Sequence, residues 1–260
     1  MGTIITIANQ KGGVGKTTTA VNLAASLAIA EKSCLIVDCD PQGNATTGLG
    51  VDKKALKYGL YEFILGQASG EEIILATNLS GLSLIGSDIN LIGAEVEMAS
   101  FDKREYRLRD KLILIKGRYD YIFLDCPPSL GFLTLNALTA SDSVLIPLQC
   151  EYYALEGLSQ LMDTINAVKK RLNPTLKLYG ILLTMYDSRN NLSLQVEEEA
   201  RRHFGEAVFK TIIPRNVRLS EAPSYGEPVL LYDIKSRGAQ SYLSLAHEFI
   251  GRGAGIHDQT

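Results

Sequence analysis

The chain has 260 residues, of which 46% are hydrophobic and 21% are charged, and its formal net charge is −3. This composition is typical of a globular protein with one sizeable core, and no apolar run is long enough to span a bilayer. Because the net charge is negative, binding to nucleic acid requires a local basic patch. The cysteines lie far apart or inside apolar runs, which indicates reduced core residues of a cytosolic protein: Cys34, Cys39, Cys126 and Cys150.

Apolar runs rich in β-branched residues alternate with helical periodicity along the chain. Most of these runs are continuously apolar, which is typical of strands covered on both faces in a parallel sheet. Apolar residues recur at helical spacing between them, for example over 20–28 and 155–172. The alternation predicts an α/β fold, a doubly wound and mostly parallel sheet with helices on both faces, formed by one domain over 1–250. Residues 251–260 are glycine-rich and unpatterned, and they predict a flexible tail. The predicted strands are 3–9, 34–40, 82–87, 119–126, 143–149, 179–186 and 208–214.

The glycine-rich segment KGGVGKTT, residues 11–18, directly follows the first predicted strand and opens the first helix. A phosphate-binding loop requires this context, because the glycines let backbone N–H groups face the phosphates and the helix dipole adds to their field. We predict that Lys16 reaches the β- and γ-phosphates and that the Thr17 hydroxyl ligates Mg²⁺. The common spacing places glycine at position 10, where this chain has Gln10. The predicted nucleotide-binding residues of the loop are Lys11, Gly12, Gly13, Val14, Gly15, Lys16, Thr17 and Thr18.

Two aspartates end predicted strands. Asp40 ends the run 34–40 and is followed by Pro41 and Gly43, so its carboxylate lies at the edge where parallel sheets bind ligands. Asp125 ends the run YIFLD, a pattern in which the aspartate holds Mg²⁺ through water. An aspartate at a strand end can also be a helix cap or a turn residue. We predict a metal site formed by Thr17, Asp40 and Asp125.

Residues 11–18 match the deviant Walker A motif, K-G-G-x-G-K-[ST]-[ST], without a gap. The sequence resembles the ParA/MinD superfamily of P-loop ATPases, and within it the short, Soj-type ParA chromosome-partition ATPases. The resemblance extends over almost the whole chain. Its further segments are DCDPQGN at 38–44, DCPPSLG at 125–131, QCEYYALEGL at 149–158 and IPRNVRLSEAPS at 213–224.

The resemblance gives the second lysine of the loop a role. In this family the residue matching Lys11 crosses the interface of an ATP-sandwich dimer and contacts the phosphates of the partner protomer, as an arginine finger does. Gly12, which has no side chain, would let the two loops approach closely. The residue matching Asp40 orients or activates the attacking water, and the one matching Asp38 is structural. The resemblance therefore implies a slow, partner-stimulated ATPase that uses ATP and Mg²⁺, with Lys11, Lys16 and Asp40 as catalytic residues.

Two late loops are expected at the same edge of the sheet as the phosphate loop. By resemblance, Pro214 and Asn216 contact the adenine and Met185 packs nearby, although a role of Met185 as a strand terminator explains it nearly as well. Basic residues also occur in or after these loops. Scattered arginines usually form a solvated face, but Soj-type proteins bind double-stranded DNA without sequence preference, through its backbone. The candidate DNA contacts are Arg189, Arg215, Arg218, Lys235 and Arg237.

The resemblance implies an ATP-driven switch. The expected homodimer forms on ATP, binds the nucleoid in the bacterial cytoplasm, and is returned to the monomer by hydrolysis that a ParB-like partner stimulates, driving chromosome or plasmid segregation. No membrane binding is expected, because the last ten residues lack the basic amphipathic pattern of membrane-bound relatives. A ParA-like scaffold that positions another cellular cargo is the alternative, and gene neighbourhood would separate the two.

Overall fold

The computed structural model describes residues 2–257, which form one seven-stranded sheet with the strand order β3-β4-β2-β5-β1-β6-β7. All neighbouring strands are parallel except β3 and β4, which are antiparallel. The strands are β1 (Thr3–Ile7), β2 (Cys34–Asp38), β3 (Ile74–Ala76), β4 (Leu82–Ile85), β5 (Tyr121–Asp125), β6 (Ser143–Gln149) and β7 (Lys177–Thr184). The predicted mostly parallel α/β fold is confirmed.

Helices cover both faces of the sheet. Alternate residues of each central strand belong to two different cores, as the period-two geometry of a strand requires: Ile122 faces one core and Phe123 the other. The helices are α1 (Lys16–Ile29), α2 (Asn44–Gly48), α3 (Leu60–Leu65), α4 (Gly70–Ile73), α5 (Leu91–Glu97), α6 (Arg107–Leu112), α7 (Phe132–Ala140), α8 (Ala154–Arg171), α9 (Asn191–Phe204), α10 (Val217–Glu221), α11 (Val229–Tyr232) and α12 (Arg237–His257). Among the described helices, none combines the length and the hydropathy needed to cross a bilayer.

The strand register brings the candidate site together. Ile7, at the end of β1, is paired with Asp125 of β5, and Asp125 is paired in turn with Asp38 of β2. The loop after β1 and the carboxyl groups that end β2 and β5 are therefore level with one another at the carboxyl edge of the sheet.

Six of the seven predicted strands are present, and the prediction of a strand at 208–214 is wrong. This segment makes only isolated bridges, at Val208 and Pro214. The backbone N–H groups of Lys210 and Thr211 donate to the Glu248 carboxylate on α12 instead of to the sheet. A long-range carboxylate thus replaces part of the strand pairing.

Two further boundaries differ from prediction. The short edge strand β3 was not predicted, because its residues are half-buried or exposed and carry no periodic signal. The tail was predicted from residue 251, but α12 continues to His257, and 258–260 lie outside the described residues. Arg252 explains the continuation, since its guanidinium donates to the carbonyls of Ala207 and Val208 and pairs with Glu248.

Candidate active site

The glycine-rich loop joins β1 to α1 and forms the floor of a cavity of about 420 Å³. Gly13 and Gly15 have φ of 75° and 87°, in the left-handed region that favours glycine. The loop is held from outside: Asn9 accepts from the Lys11 N–H and donates to the Pro147 carbonyl. The loop residues that line the cavity are Gly12, Gly13, Gly15, Lys16, Thr17 and Thr18. The structure therefore brings most of the predicted phosphate ligands to one place.

Lys16 is a buried cation at the start of α1, with an exposed fraction of 7%. Its Nζ donates to the Lys11 carbonyl at 2.8 Å, which bends the side chain back over the loop. Burial lowers the pKa of Lys16, while the nearby charges of Asp125 and Asp40 oppose that shift. A desolvated ammonium with a single protein acceptor among the described residues is well suited to anionic phosphate oxygens.

The predicted residues Lys11 and Val14 do not line this cavity. The Lys11 ammonium forms an ion pair with Glu151, in the loop after β6. Val14 is buried, and its carbonyl accepts from the Thr184 hydroxyl at the end of β7 at 2.8 Å. Gln10, the residue that departs from the common loop pattern, donates to the Gln160 side chain on α8. Its amide thus anchors the loop to that helix.

The aspartates at the strand ends differ in their surroundings. Asp40 lines the cavity and accepts one bond, from the backbone N–H of Gln42. Asp38 is fully buried and accepts from the backbone N–H and the hydroxyl of Thr46, at 2.8 and 2.7 Å. Burial raises the pKa of Asp38 to about 6 despite these bonds. The contacts of Asp38 agree with the structural role that the resemblance implies.

Asp125 is fully buried behind the loop and does not line the cavity. Burial and the negative charge of Asp38 raise its pKa well above the usual range, and the Thr17 hydroxyl and Lys16 oppose the shift. Neither oxygen makes a hydrogen bond of ordinary geometry to a described residue. A buried carboxylate without such bonds requires a cation or water, so the site fits Mg²⁺ near Thr17 and Asp40. No cluster of three or more acidic, His or Cys side chains suited to a metal occurs in the part described.

A second cavity of about 540 Å³ adjoins the first and shares Gly15, Thr18, Met185 and Pro223 with it. Met185 has a φ of 50°, rare for a residue with a side chain, and such backbone strain clusters at ligand sites. The predicted adenine contacts Pro214 and Asn216 also line this cavity. The structure thus brings all three predicted residues together.

Arg215 lines the second cavity, and the basic candidates differ in their partners. Arg189 makes a two-point contact with Asp187, and Arg218 pairs with Glu221 and Asp233, so their charges are partly compensated. The Arg189 guanidinium lowers the pKa of Asp187 to about 2. The remaining candidates are exposed, and none makes an ion pair with a described residue: Arg215, Lys235 and Arg237.

The segment that follows α10 packs against α1 and α2. Asn22 on α1 donates to the Thr18 carbonyl and accepts from the Val229 N–H at the start of α11. Gly226 lies against Gly50, just after α2: a Cβ on Gly226 would be 2.5 Å from the Gly50 Cα. Sequence reasoning missed these contacts, which only tertiary placement reveals. It also missed the cavity-lining residues Val21, Asn22, Asn44, Thr47, Gly48, Pro128, Ala222, Pro223 and Glu227, although the motif segments of the sequence contain Asn44, Pro128, Ala222 and Pro223.

A glycine loop between a central parallel strand and a helix, with a buried lysine and an aspartate ending the next strand, defines a P-loop nucleoside triphosphatase. The second lysine at position 11 assigns it to the deviant Walker A class. A family model described as an AAA domain matches residues 2–178. The chain is 59% identical to the chromosome partitioning protein ParA of Myxococcus xanthus, over 97% of this chain and 89% of that protein. It is 57% identical to the sporulation initiation inhibitor protein Soj of Bacillus subtilis, over 97% of this chain and 100% of that protein.

Among solved structures, cobyrinic acid a,c-diamide synthase from Mycobacterium smegmatis with bound ADP and magnesium has a TM-score of 0.84 and 38% identity. The match covers 95% of this chain and 93% of that one. The chain belongs to the ParA/Soj family of chromosome-partitioning ATPases.

Proposed function

We propose that this protein is an ATP- and Mg²⁺-dependent dimerisation switch, formed by one ATPase domain over 1–250. It binds DNA without sequence preference as the ATP dimer, on the nucleoid in the bacterial cytoplasm, and drives chromosome or plasmid segregation. A ParB-like partner stimulates its slow hydrolysis. The observation that carries the proposal is the division between the two loop lysines: Lys16 lines the cavity and Lys11 does not. The ADP and magnesium in the Mycobacterium smegmatis structure support the ligand assignment.

The residues that line the first cavity suit binding of the triphosphate. The Lys16 ammonium exchanges the Lys11 carbonyl for phosphate oxygens, and backbone N–H groups of Gly13 and Gly15 face the same oxygens. Thr17 and Asp125 would hold Mg²⁺, which would supply positive charge to the phosphates. Asp40, at the cavity wall, orients the attacking water. Pro214, Asn216 and Met185 enclose the adenine in the second cavity.

Lys11 acts in the partner protomer. Its ammonium is about half-exposed and paired with Glu151, so it can leave that carboxylate without crossing the protein interior. An exposed ion pair contributes little free energy, and a phosphate of the second protomer is a stronger partner for the cation. Dimerisation thus completes the catalytic site, because each protomer supplies a cation to the other.

DNA binding follows dimerisation. The protein is acidic overall, so few basic residues of one protomer face DNA, and a dimer doubles those contacts on one side of the molecule. Since the charges of Arg189 and Arg218 are partly compensated, we assign the larger share of phosphate contact to Arg215, Lys235 and Arg237.

DNA affinity in a salt series, with ATP, with ADP and without nucleotide, tests the proposal. We expect tight DNA binding only with ATP. The double variant Lys235→Ala with Arg237→Ala is expected to weaken DNA binding by about ten-fold, whatever the DNA sequence. It should also lower the slope of log affinity against log salt concentration by about 1 for each lost phosphate contact. Lys169→Ala with Lys170→Ala is the matched control, since it removes the same charge at the far end of α8. Equal affinity in all three nucleotide states would instead favour the scaffold that positions another cargo.

A further inference from the structure

The segment that forms one edge of the sheet is rich in acidic residues, one of which, Glu71, is paired with Arg118 outside it. Residues 58–102 contain no lysine or arginine and seven acidic residues. Because the whole chain carries −3, all other residues together carry +4. The acidic segment builds α3, α4, β3, β4 and α5, and β3 ends the sheet on the side opposite β7. Arg189 and Arg215, which lie beside the carboxyl end of β7, are therefore at the opposite end of the sheet from this segment.

An apolar stripe crosses this edge on α5 and the turn before it. Ile89, Ile92 and Val96 recur at helical spacing and are 59%, 56% and 75% exposed. The other side of the same helix is core, where Leu91 and Ala94 are fully buried. Exposed branched apolar side chains at one helical face, set among acidic residues, are typical of an interaction surface. We call Ile89, Ile92, Val96, Glu95 and Glu97 the α5 surface.

We propose that the α5 surface docks a basic amphipathic helix of a partner protein. Apolar anchors three and four residues apart on the partner match the stripe, and its lysines or arginines match Glu95 and Glu97. Glu95 has no hydrogen-bond or ion-pair partner among the described residues, so its charge is free to pair. DNA is a poor occupant, because its phosphates repel this edge. The inference rests on the proposed function, in which a partner protein stimulates hydrolysis.

A short path of hydrogen bonds leads from the α5 surface to the catalytic edge. Ser87, two residues before the stripe, is buried, and its hydroxyl donates to the Asp40 carbonyl. The Ser87 N–H donates to the Thr46 hydroxyl at 3.0 Å, and that hydroxyl donates to Asp38. A shift of the turn before α5 is therefore passed directly to the residue that we place at the attacking water. Docking at the α5 surface can stimulate hydrolysis without contact with the nucleotide.

Two probes test the proposal on the full-length protein with ATP and Mg²⁺. The first is the ParB-like protein encoded in the same genome, and the second is a synthetic amphipathic Leu/Lys helix of about 18 residues, compared with a scrambled peptide of the same composition. We expect Ile92→Ser with Val96→Ser to weaken binding of both probes by about ten-fold or more. Basal ATP hydrolysis and DNA affinity of this double variant are expected to stay unchanged. Glu95→Lys is expected to lower the affinity for both probes and to make that affinity less dependent on salt. The matched control, Ile113→Ser with Leu114→Ser, replaces two equally exposed apolar side chains after α6.

The hydrogen bonds of Ser87 are tested separately, by the stimulation of ATP hydrolysis. Ser87→Ala is expected to leave the affinity for the ParB-like protein unchanged and to reduce the stimulation of hydrolysis. Wild-type affinity in the stripe variant, or an equal loss in the control, would overturn the inference and leave the proposed function standing. A change in self-association of the stripe variant would make a second copy of this chain the occupant instead. If the wild-type protein does not bind the ParB-like protein, the proposed partner is wrong, and the Leu/Lys helix decides the inference alone.

Discussion

The contact between Gly226 and Gly50 predicts that Gly226→Ala destabilises the protein more than an ordinary glycine substitution. Gly226 has a φ of 68°, which costs a residue with a side chain about 1–2 kcal/mol. The added Cβ would also lie 2.5 Å from the Gly50 Cα and 3.0 Å from its backbone nitrogen. Backbone atoms cannot rotate away, so the two segments must separate, at a further cost of about 1–3 kcal/mol.

Gly66→Ala is the matched control for this prediction. Gly66 is also left-handed, with a φ of 84°, but its Cβ would meet only the flexible ends of Lys111 and Arg107. The control therefore retains the cost of the left-handed backbone and lacks the backbone clash. For a chain of this size each kcal/mol lowers the melting temperature by about 2–4 °C, so Gly226→Ala should melt about 2–12 °C below Gly66→Ala.

Thermal unfolding without nucleotide measures this difference in melting temperature, and ATP affinity shows whether the clash also disturbs the nucleotide cavity. Glu227 and Pro223, beside Gly226, line the cavity, as does Thr47, close to Gly50. We therefore expect Gly226→Ala to weaken ATP binding and Gly66→Ala to leave it unchanged. Equal melting temperatures in the two variants would refute the reasoning, because the clash would then have no energetic consequence.

Three further predictions concern the catalytic residues. Lys16→Ala is expected to abolish ATP binding. Lys11→Ala is expected to retain ATP binding and to lose ATP-dependent dimerisation and hydrolysis. If isothermal titration showed the same loss of nucleotide affinity in both variants, Lys11 would be an ordinary ligand of its own nucleotide. Asp40→Ala is expected to bind ATP and remain dimeric in size-exclusion chromatography with ATP and Mg²⁺, since only the attack of water is lost, and a monomer at saturating ATP would contradict the assignment. Asp125→Asn removes a buried carboxyl whose raised pKa makes its ionisation destabilising as pH rises. Without nucleotide, the stability of the variant relative to the wild type should therefore increase as pH rises above about 4, where the carboxyl ionises in the unfolded chain, and a stability difference that does not change with pH would count against it.

The sequence predicted those parts of the fold that local chemistry determines. A continuously apolar run such as 143–149 can only be a buried strand or helix segment, and its β-branched composition favours the strand. The phosphate loop could be predicted equally well, because its glycines, lysine and threonine have a fixed spacing within one short segment between a strand and a helix. The segment 208–214 has the same composition as a strand, and only Glu248, far along the chain, shows why its ladder is interrupted.

The rest of the candidate site depends on contacts between distant segments. The ion pair of Lys11 with Glu151 joins two loops that no local pattern relates. The same holds for Asn22, whose side chain reaches the start of α11. The compensation of Arg189 by Asp187 is local, but a charge pattern alone does not tell a paired arginine from a free one. The structure thus shows which of the predicted basic residues are paired with an acidic residue of the described part.

Arg189 and Arg215 lie beside the carboxyl end of β7, whereas the acidic segment forms the β3 end of the sheet, so these charges contribute to an electric dipole along the order of the strands. Near an anionic polymer, such a dipole produces a torque that turns the β7 side inward and the β3 side outward before any contact is made. Orientation, rather than only attraction, is then selected during the diffusional approach, which raises the rate of productive encounter. Added salt screens this torque over a distance of about 10 Å at 0.1 M. The association rate with DNA is thus expected to depend on salt partly through charged residues that contact no phosphate in the final complex.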